Sequence, residues 1–140
     1  MSGQTGPPER LRMSIGLNDD CVVARAAGEL DYQSAEFFHR KVTEAWSARR
    51  SAPLVLDFSG LSFCDSGCVS VLVSLLRQSR KRGTALVLTG LPSRLERILT
   101  IAGLRNAFVV EPLLQEAILA AKRGPPEPGG GPPAGGAAPR

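Results

Sequence analysis

The chain has 140 residues, 43% of them apolar and 21% charged; that balance suits one soluble globular domain and excludes a wholly disordered chain. No apolar run reaches the ~18–20 residues of a membrane span, and the opening MSGQTGPPER lacks the apolar segment of a secretory leader, so a cytoplasmic protein is expected. Three cysteines without a Cys-x-x-Cys pair point to reduced thiols, a single histidine excludes a His-rich metal site, and a net charge of +4 permits acidic partners without identifying one.

Residues 1–10 have little to bury and are expected to be flexible. Met13–Leu17 and Cys21–Ala26 flank Asn18-Asp19-Asp20, a hairpin signal. After Gly28-Glu29-Leu30-Asp31, the residues Phe38, Val42, Ala45 and Trp46 recur at helical spacing. Leu54-Val55-Leu56, ending in Asp57, suits a central strand. Val69, Leu72, Val73 and Leu76 then mark one face of a second helix that closes at Arg80-Lys81-Arg82-Gly83, and Ala85–Leu88 is another buried strand. Ser93 and Glu96 form a capping-box pattern for a third helix striped by Leu95, Ile98, Leu99 and Ala102, with Gly103 placed to end it. Phe108–Val110 predicts a short strand, and Pro112 opens a last helix with Leu114, Ala117, Ile118 and Ala121 inward.

The order ββαβαβαβα predicts an α/β domain over residues 11–123. Its mixed sheet of four to five strands begins with the hairpin, continues by crossover units and is packed with about four helices. Residues 124–140, with six Gly, six Pro and no large apolar side chain, are expected to form a disordered tail.

Signatures of catalysis are missing. There is no Gly-x-Ser-x-Gly elbow, no Walker loop, no Gly-x-Gly-x-x-Gly and no metal-ligand cluster, so neither enzyme activity, cofactor nor metal is expected. His39, mid-helix beside Arg40 and Lys41, reads as a solvated position. A hydrolytic pair with Ser66 would need an orienting acid and an oxyanion site. Arg77, Arg80, Arg82, Arg94 and Arg97 have no aromatic residues interleaved and read as a solvated basic face rather than a nucleic-acid surface. The segment ending in Asp57 is shaped like the phosphoacceptor strand of a response-regulator receiver, but the acidic pair and the late lysine of a receiver are missing; Asp57 reads instead as a residue whose carboxylate binds nearby backbone N–H groups. In Phe63-Cys64-Asp65-Ser66-Gly67-Cys68-Val69, Asp65 and Ser66 stand just before the second helix. Either can cap it, and the N–H groups there favour a phosphoryl group on a local hydroxyl.

At this stretch the chain resembles the STAS domain of bacterial anti-sigma factor antagonists. Gly28-Glu29-Leu30-Asp31 is similar to the family's strand-end Gly-Glu-Leu-Asp, with Ser34 where a small hydroxyl starts the first helix. Leu54–Gly60 resembles the central strand and turn, and Phe63-x-Asp65-Ser66 begins the family's Asp-Ser-[Ser/Thr]-Gly-Leu motif. Arg82-Gly83, Leu86-Val87-Leu88 and Leu99-x-x-Ala102-Gly103-Leu104 continue the pattern, so the resemblance covers residues 11–123.

The resemblance implies a binding module that engages an anti-sigma factor of ATP-dependent serine kinase fold and thereby frees a sigma factor. The kinase would phosphorylate a hydroxyl of the motif and a serine phosphatase would restore binding; neither nucleic acid nor membrane is contacted directly. It implies a partner interface at Asp31, Asp65, Ser66, Gly67 and Cys68. Aligned without a gap, Gly67 falls on the usual phosphoacceptor, Cys68 on the glycine and Val69 on the leucine, which leaves Ser66 as the candidate phosphorylation site, displaced by one residue. A one-residue deletion that moved Ser66 onto the acceptor would turn Val69, Leu72, Val73 and Leu76 by about 100° around the helix, so Ser66 is expected to be a poor kinase substrate. The other reading is a STAS module of a sensory assembly, or one that binds a nucleotide or lipid without a sigma-factor kinase.

Overall fold

The computed structural model describes residues 10–126; the expected flexible N-terminus and disordered tail lie outside them, apart from Arg10 and residues 124–126. Strand β1 (Leu11–Asn18) and strand β2 (Cys21–Leu30) pair antiparallel in unbroken register, from Leu11 opposite Gly28 to Asn18 opposite Cys21. Asp19 and Asp20 make the whole turn, at φ 56° and 68°. Two successive left-handed residues belong to a two-residue type I′ turn, which aspartate tolerates better than most side chains.

The remaining strands are parallel. Helix α1 (Ala35–Ser47) leads to β3 (Leu54–Cys64), α2 (Ser66–Arg82) to β4 (Leu86–Thr89), and α3 (Ser93–Ile101), with a short 3-10 turn, to β5 (Val109–Glu111); α4 (Leu114–Lys122) closes the order. The five strands lie side by side in chain order, and the element order is the ββαβαβαβα expected. β3 is longer than its apolar run. Ser59-Gly60 reads as a turn, yet Phe58, Leu61 and Cys64 are buried and pairing with β2 continues past two register shifts.

Side-chain alternation along the strands splits the core in two. Ala24, Leu54, Leu56 and Leu88 face one way, against Phe38, Val42 and Trp46 of α1, Leu72 and Leu75 of α2, and Leu95 and Leu99 of α3. Val23, Val55 and Val87 face the other way, against Ala117, Ile118 and Ala121 of α4. Three helices cover one face and one helix the other.

The buried stripe of α2 is Cys68, Val71, Leu72, Leu75 and Ser79 rather than Val69, Leu72, Val73 and Leu76. The helix is flanked by α1 and α3 as well as the sheet, so Val69, Val73 and Leu76 sit at the half-buried margins of a wide face. α3 takes Pro92 as its N-cap with no side-chain cap bond, and Glu96 pairs with Arg105 at 2.9 Å instead of reaching back to Ser93. His39 is half-buried on the seam of α1 and α2, its Nε2 2.8 Å from the Ser74 hydroxyl. Arg82 is not solvated either: it stacks over Trp46, 4.3 Å from the ring centre, and donates to the Trp46 carbonyl at 3.0 Å. Asp57, mid-strand, accepts from the backbone N–H and the hydroxyl of Ser59, as its residue type suggests.

Candidate partner-binding site

Parallel strands deliver their following loops to one edge of a sheet, and here the loops after β2 and β3 meet. The β2 end is shaped by Gly28, at φ 90°, where an added Cβ would fall 2.1 Å from the carbonyl oxygen of Arg10. Only glycine lets β2 pass beneath Arg10, and the adjoining register shift carries the chain to Asp31. There Asp31 Oδ1 accepts from the backbone N–H groups of Gln33 and Ser34, both at 3.0 Å. The Ser34 hydroxyl accepts from the Asp31 N–H at 3.0 Å, which makes the pair a reciprocal capping box for the turn leading into α1. Ser34 therefore faces back toward Asp31 instead of capping α1 itself. Partial burial pulls the Asp31 pKa upward, but the Ser34 and Gln33 hydrogen bonds, aided by the Arg10 charge, hold it below the ordinary carboxylate value.

Asp65 is the N-cap of α2. One carboxylate oxygen accepts from the Gly67 N–H at 2.8 Å and the other from the Tyr32 N–H at 3.1 Å. A single side chain thus ties the β2–α1 loop to the start of α2. Gly67 completes the contact: a Cβ there would lie 2.6 Å from the Tyr32 Cα and 2.9 Å from its nitrogen. The residue at the usual acceptor register is glycine where two backbones touch.

Ser66, the first residue of α2, is exposed. Cys68 is the correction to the expected interface: it is fully buried, and burial, followed by the neighbouring Cys64 and Asp65, pushes its thiol pKa up. At the third helical position its side chain turns inward to the core, so it supports the edge from below and offers a partner nothing. The structure does bring Asp31, Asp65, Ser66 and Gly67 to one edge.

Three residues of this edge lie outside the interface expected from the sequence. Tyr32 is 76% exposed, an aromatic on a loop anchored from both sides. Phe63 is 38% exposed, with the Arg94 guanidinium 5.2 Å from its ring, and Arg94 donates to the Cys64 carbonyl at 2.8 Å. Arg94 therefore belongs to this edge and not to a solvated basic face. The available signal was an aromatic directly after the strand-end Asp31, where no periodicity calls for burial. Among the described residues no group of His, Cys, Asp and Glu could hold a metal ion, and no helix is long and apolar enough to cross a membrane.

A family profile described as the STAS domain matches residues 12–117. The chain belongs to the STAS domain family. Among proteins similar to this STAS domain is the anti-sigma-F factor antagonist RsfA of Mycobacterium tuberculosis, 29% identical over 111 residues, which cover 79% of this chain and 87% of that protein. The anti-sigma-B factor antagonist of Listeria monocytogenes is 31% identical over 104 residues, 72% of this chain and 90% of that one. The crystal structure of an anti-sigma factor antagonist from Mycobacterium paratuberculosis has the same fold, with a TM-score of 0.68 at 22% identity over 82% of this chain and 97% of the other. The relatives carry the names of regulators, not of enzymes.

Proposed function

We propose that this STAS domain is an anti-sigma factor antagonist: it binds an anti-sigma factor of ATP-dependent serine kinase fold, frees the sigma factor held there, and performs no catalysis itself. The observation that carries the reading is the Asp65 carboxylate joining Tyr32 to Gly67, because it fixes an exposed aromatic and the exposed Ser66 at the start of α2 into one rigid surface. Exposed aromatic residues on rigid backbone are the common anchors of protein interfaces. The names of the similar proteins supply the class of partner.

Control by phosphate is weak in this reading. A phosphoryl group on Ser66 would carry about −1.5 to −2 charges directly beside Asp65 and would disfavour a packed interface. Yet the acceptor register is held by Gly67, and the in-line geometry that a kinase demands is lost when the hydroxyl is displaced by one residue. The protein then acts as a persistent antagonist, with a serine phosphatase having little to reverse.

Calorimetric titration with the cognate anti-sigma kinase tests both parts. Wild type is expected to bind, Tyr32→Ala to weaken binding by about tenfold or more, and Asp31→Arg to weaken it as well by reversing a charge at the interface. Radiolabelled ATP should leave wild type with far less than stoichiometric phosphate. Wild-type affinity in both variants would move the interface elsewhere, and stoichiometric phosphate on Ser66 would make Ser66 the working switch.

A further inference from the structure

Arg94 stands in the first turn of α3, where a cation faces the positive end of the helix dipole and gains nothing locally. The acidic residue of that turn, Glu96, is drawn away to Arg105, and among the described residues no carboxylate pairs with Arg94. The side chain is nevertheless fixed. Its Nε donates to the Cys64 carbonyl at 2.8 Å, and its guanidinium carbon lies 5.2 Å from the centre of the Phe63 ring. Arg94 is exposed, and among the described residues its two terminal nitrogens have no hydrogen-bond partner. A guanidinium fork is thus held at the end of β3, beside the residue that precedes Asp65, with its terminal N–H groups open.

The carboxylates of the same edge are mostly engaged by backbone. Both oxygens of Asp65 accept N–H groups, from Gly67 and Tyr32, and Oδ1 of Asp31 accepts those of Gln33 and Ser34. Arg94 is therefore the charged group of this edge whose hydrogen-bonding capacity is largely unspent. It lies against one exposed aromatic, Phe63, on an edge that carries another, Tyr32. Arginine and aromatic residues together are the usual composition of an interface hot spot.

We propose that Arg94 is a specificity-determining contact of the partner interface, its fork closing on one aspartate or glutamate carboxylate of the anti-sigma factor. The inference rests on the reading of this domain as an anti-sigma factor antagonist, and adds to it the residue and the charge that select the partner. The planar fork matches the two oxygens of a carboxylate in a bidentate pair. A phosphoryl group fits less well, because its charge of about −1.5 to −2 would meet a single cation next to Asp65.

Calorimetric titration of the full-length chain with the cognate anti-sigma kinase provides the test. Arg94→Gln keeps a donor for the Cys64 carbonyl but loses the charge and the fork, and should weaken binding by about tenfold or more. Its urea midpoint should stay at the wild-type value. Arg94→Lys keeps the charge without the fork and should recover only part of the loss. Arg94→Glu should bind more weakly than either. Against Arg94→Glu, a scan of the kinase's surface aspartates and glutamates, each changed to arginine, should yield one variant that restores binding, a rescue that repair of the fold could not produce. Wild-type affinity in Arg94→Glu, or a scan without rescue, would overturn the inference while leaving kinase binding by the domain intact. Competition by inorganic phosphate that Arg94→Gln abolishes would overturn it in favour of a phosphoryl ligand. Failure of wild type itself to bind the kinase would overturn the reading beneath it as well.

Discussion

Replacing Gly67 with serine looks, from alignment alone, like the repair of a missing phosphoacceptor. The packing says otherwise. A Cβ at this position must push back the Tyr32 backbone, which the Asp65 carboxylate holds in place. Gly67→Ser and Gly67→Ala should therefore each destabilise the fold by about 1–3 kcal/mol, read as a lower urea midpoint, and the serine variant should loosen the loop before it offers a usable hydroxyl. Asp31 allows a cleaner electrostatic experiment, because asparagine keeps the capping geometry and removes only the charge. Its pKa is lowered in the fold, so the stability contributed by the charge is complete above the ordinary value of 3.8 and is lost as pH falls through the lower folded value. Asp31→Asn should be less stable than wild type at neutral pH, and the gap should close in acid. Asp65 was legible in the sequence because capping is local chemistry, and Asp31 through its place in the Gly28-Glu29-Leu30-Asp31 motif; the capping role of Asp31 was not. The contact between Gly67 and Tyr32 was not, because it joins backbones 35 positions apart that share no sequence pattern.

The elements were legible where a local pattern decided them. The hairpin followed from Asp19-Asp20 between two apolar strands, and the α1 stripe of Phe38, Val42 and Trp46 is buried as its spacing requires. The errors arise where tertiary contact overrides the local signal. β3 runs through Ser59-Gly60 because β2 waits alongside, and α2 is rotated from its apparent stripe because it has neighbours on three sides. The same locality makes the hairpin a place to gain stability. Asp20 sits at φ 68° with no side-chain hydrogen bond among the described residues, whereas Asp19 is tied to Lys122 at 2.6 Å. Asp20→Gly should relieve left-handed strain and raise stability by about 0.5–1 kcal/mol, visible as a melting point higher by a few degrees.

At the scale of the molecule the two faces of the sheet are unequal. The face under α1, α2 and α3 buries Trp46, Phe38, Phe58 and many leucines, whereas α4 offers mostly Ala117, Ala120 and Ala121 against valines. Small side chains remove less apolar surface from water, so α4 should be the more easily opened unit. Native-state hydrogen exchange should show α4 amides exchanging by a sub-global opening well below the free energy that protects β3. Equal protection of α4 and β3 would mean that the two faces unfold together. This asymmetry could not be read from the sequence, where the last helix looks as amphipathic as the first; what each helix covers depends on which side of the sheet it crosses.

Because the strands lie side by side in the order of synthesis, each one finds its partner already made as the chain leaves the ribosome. Assembly can advance strand by strand, with short loop closures and little waiting. The exception is the valine face of β2, β3 and β4, whose cover is the last helix to emerge. Until α4 is released from the exit tunnel, Val23, Val55 and Val87 are exposed to solvent and to other nascent chains. A chain paused with β5 outside the exit tunnel and α4 still within it would therefore hold a nearly finished sheet with one greasy side bare, the species most in need of a chaperone.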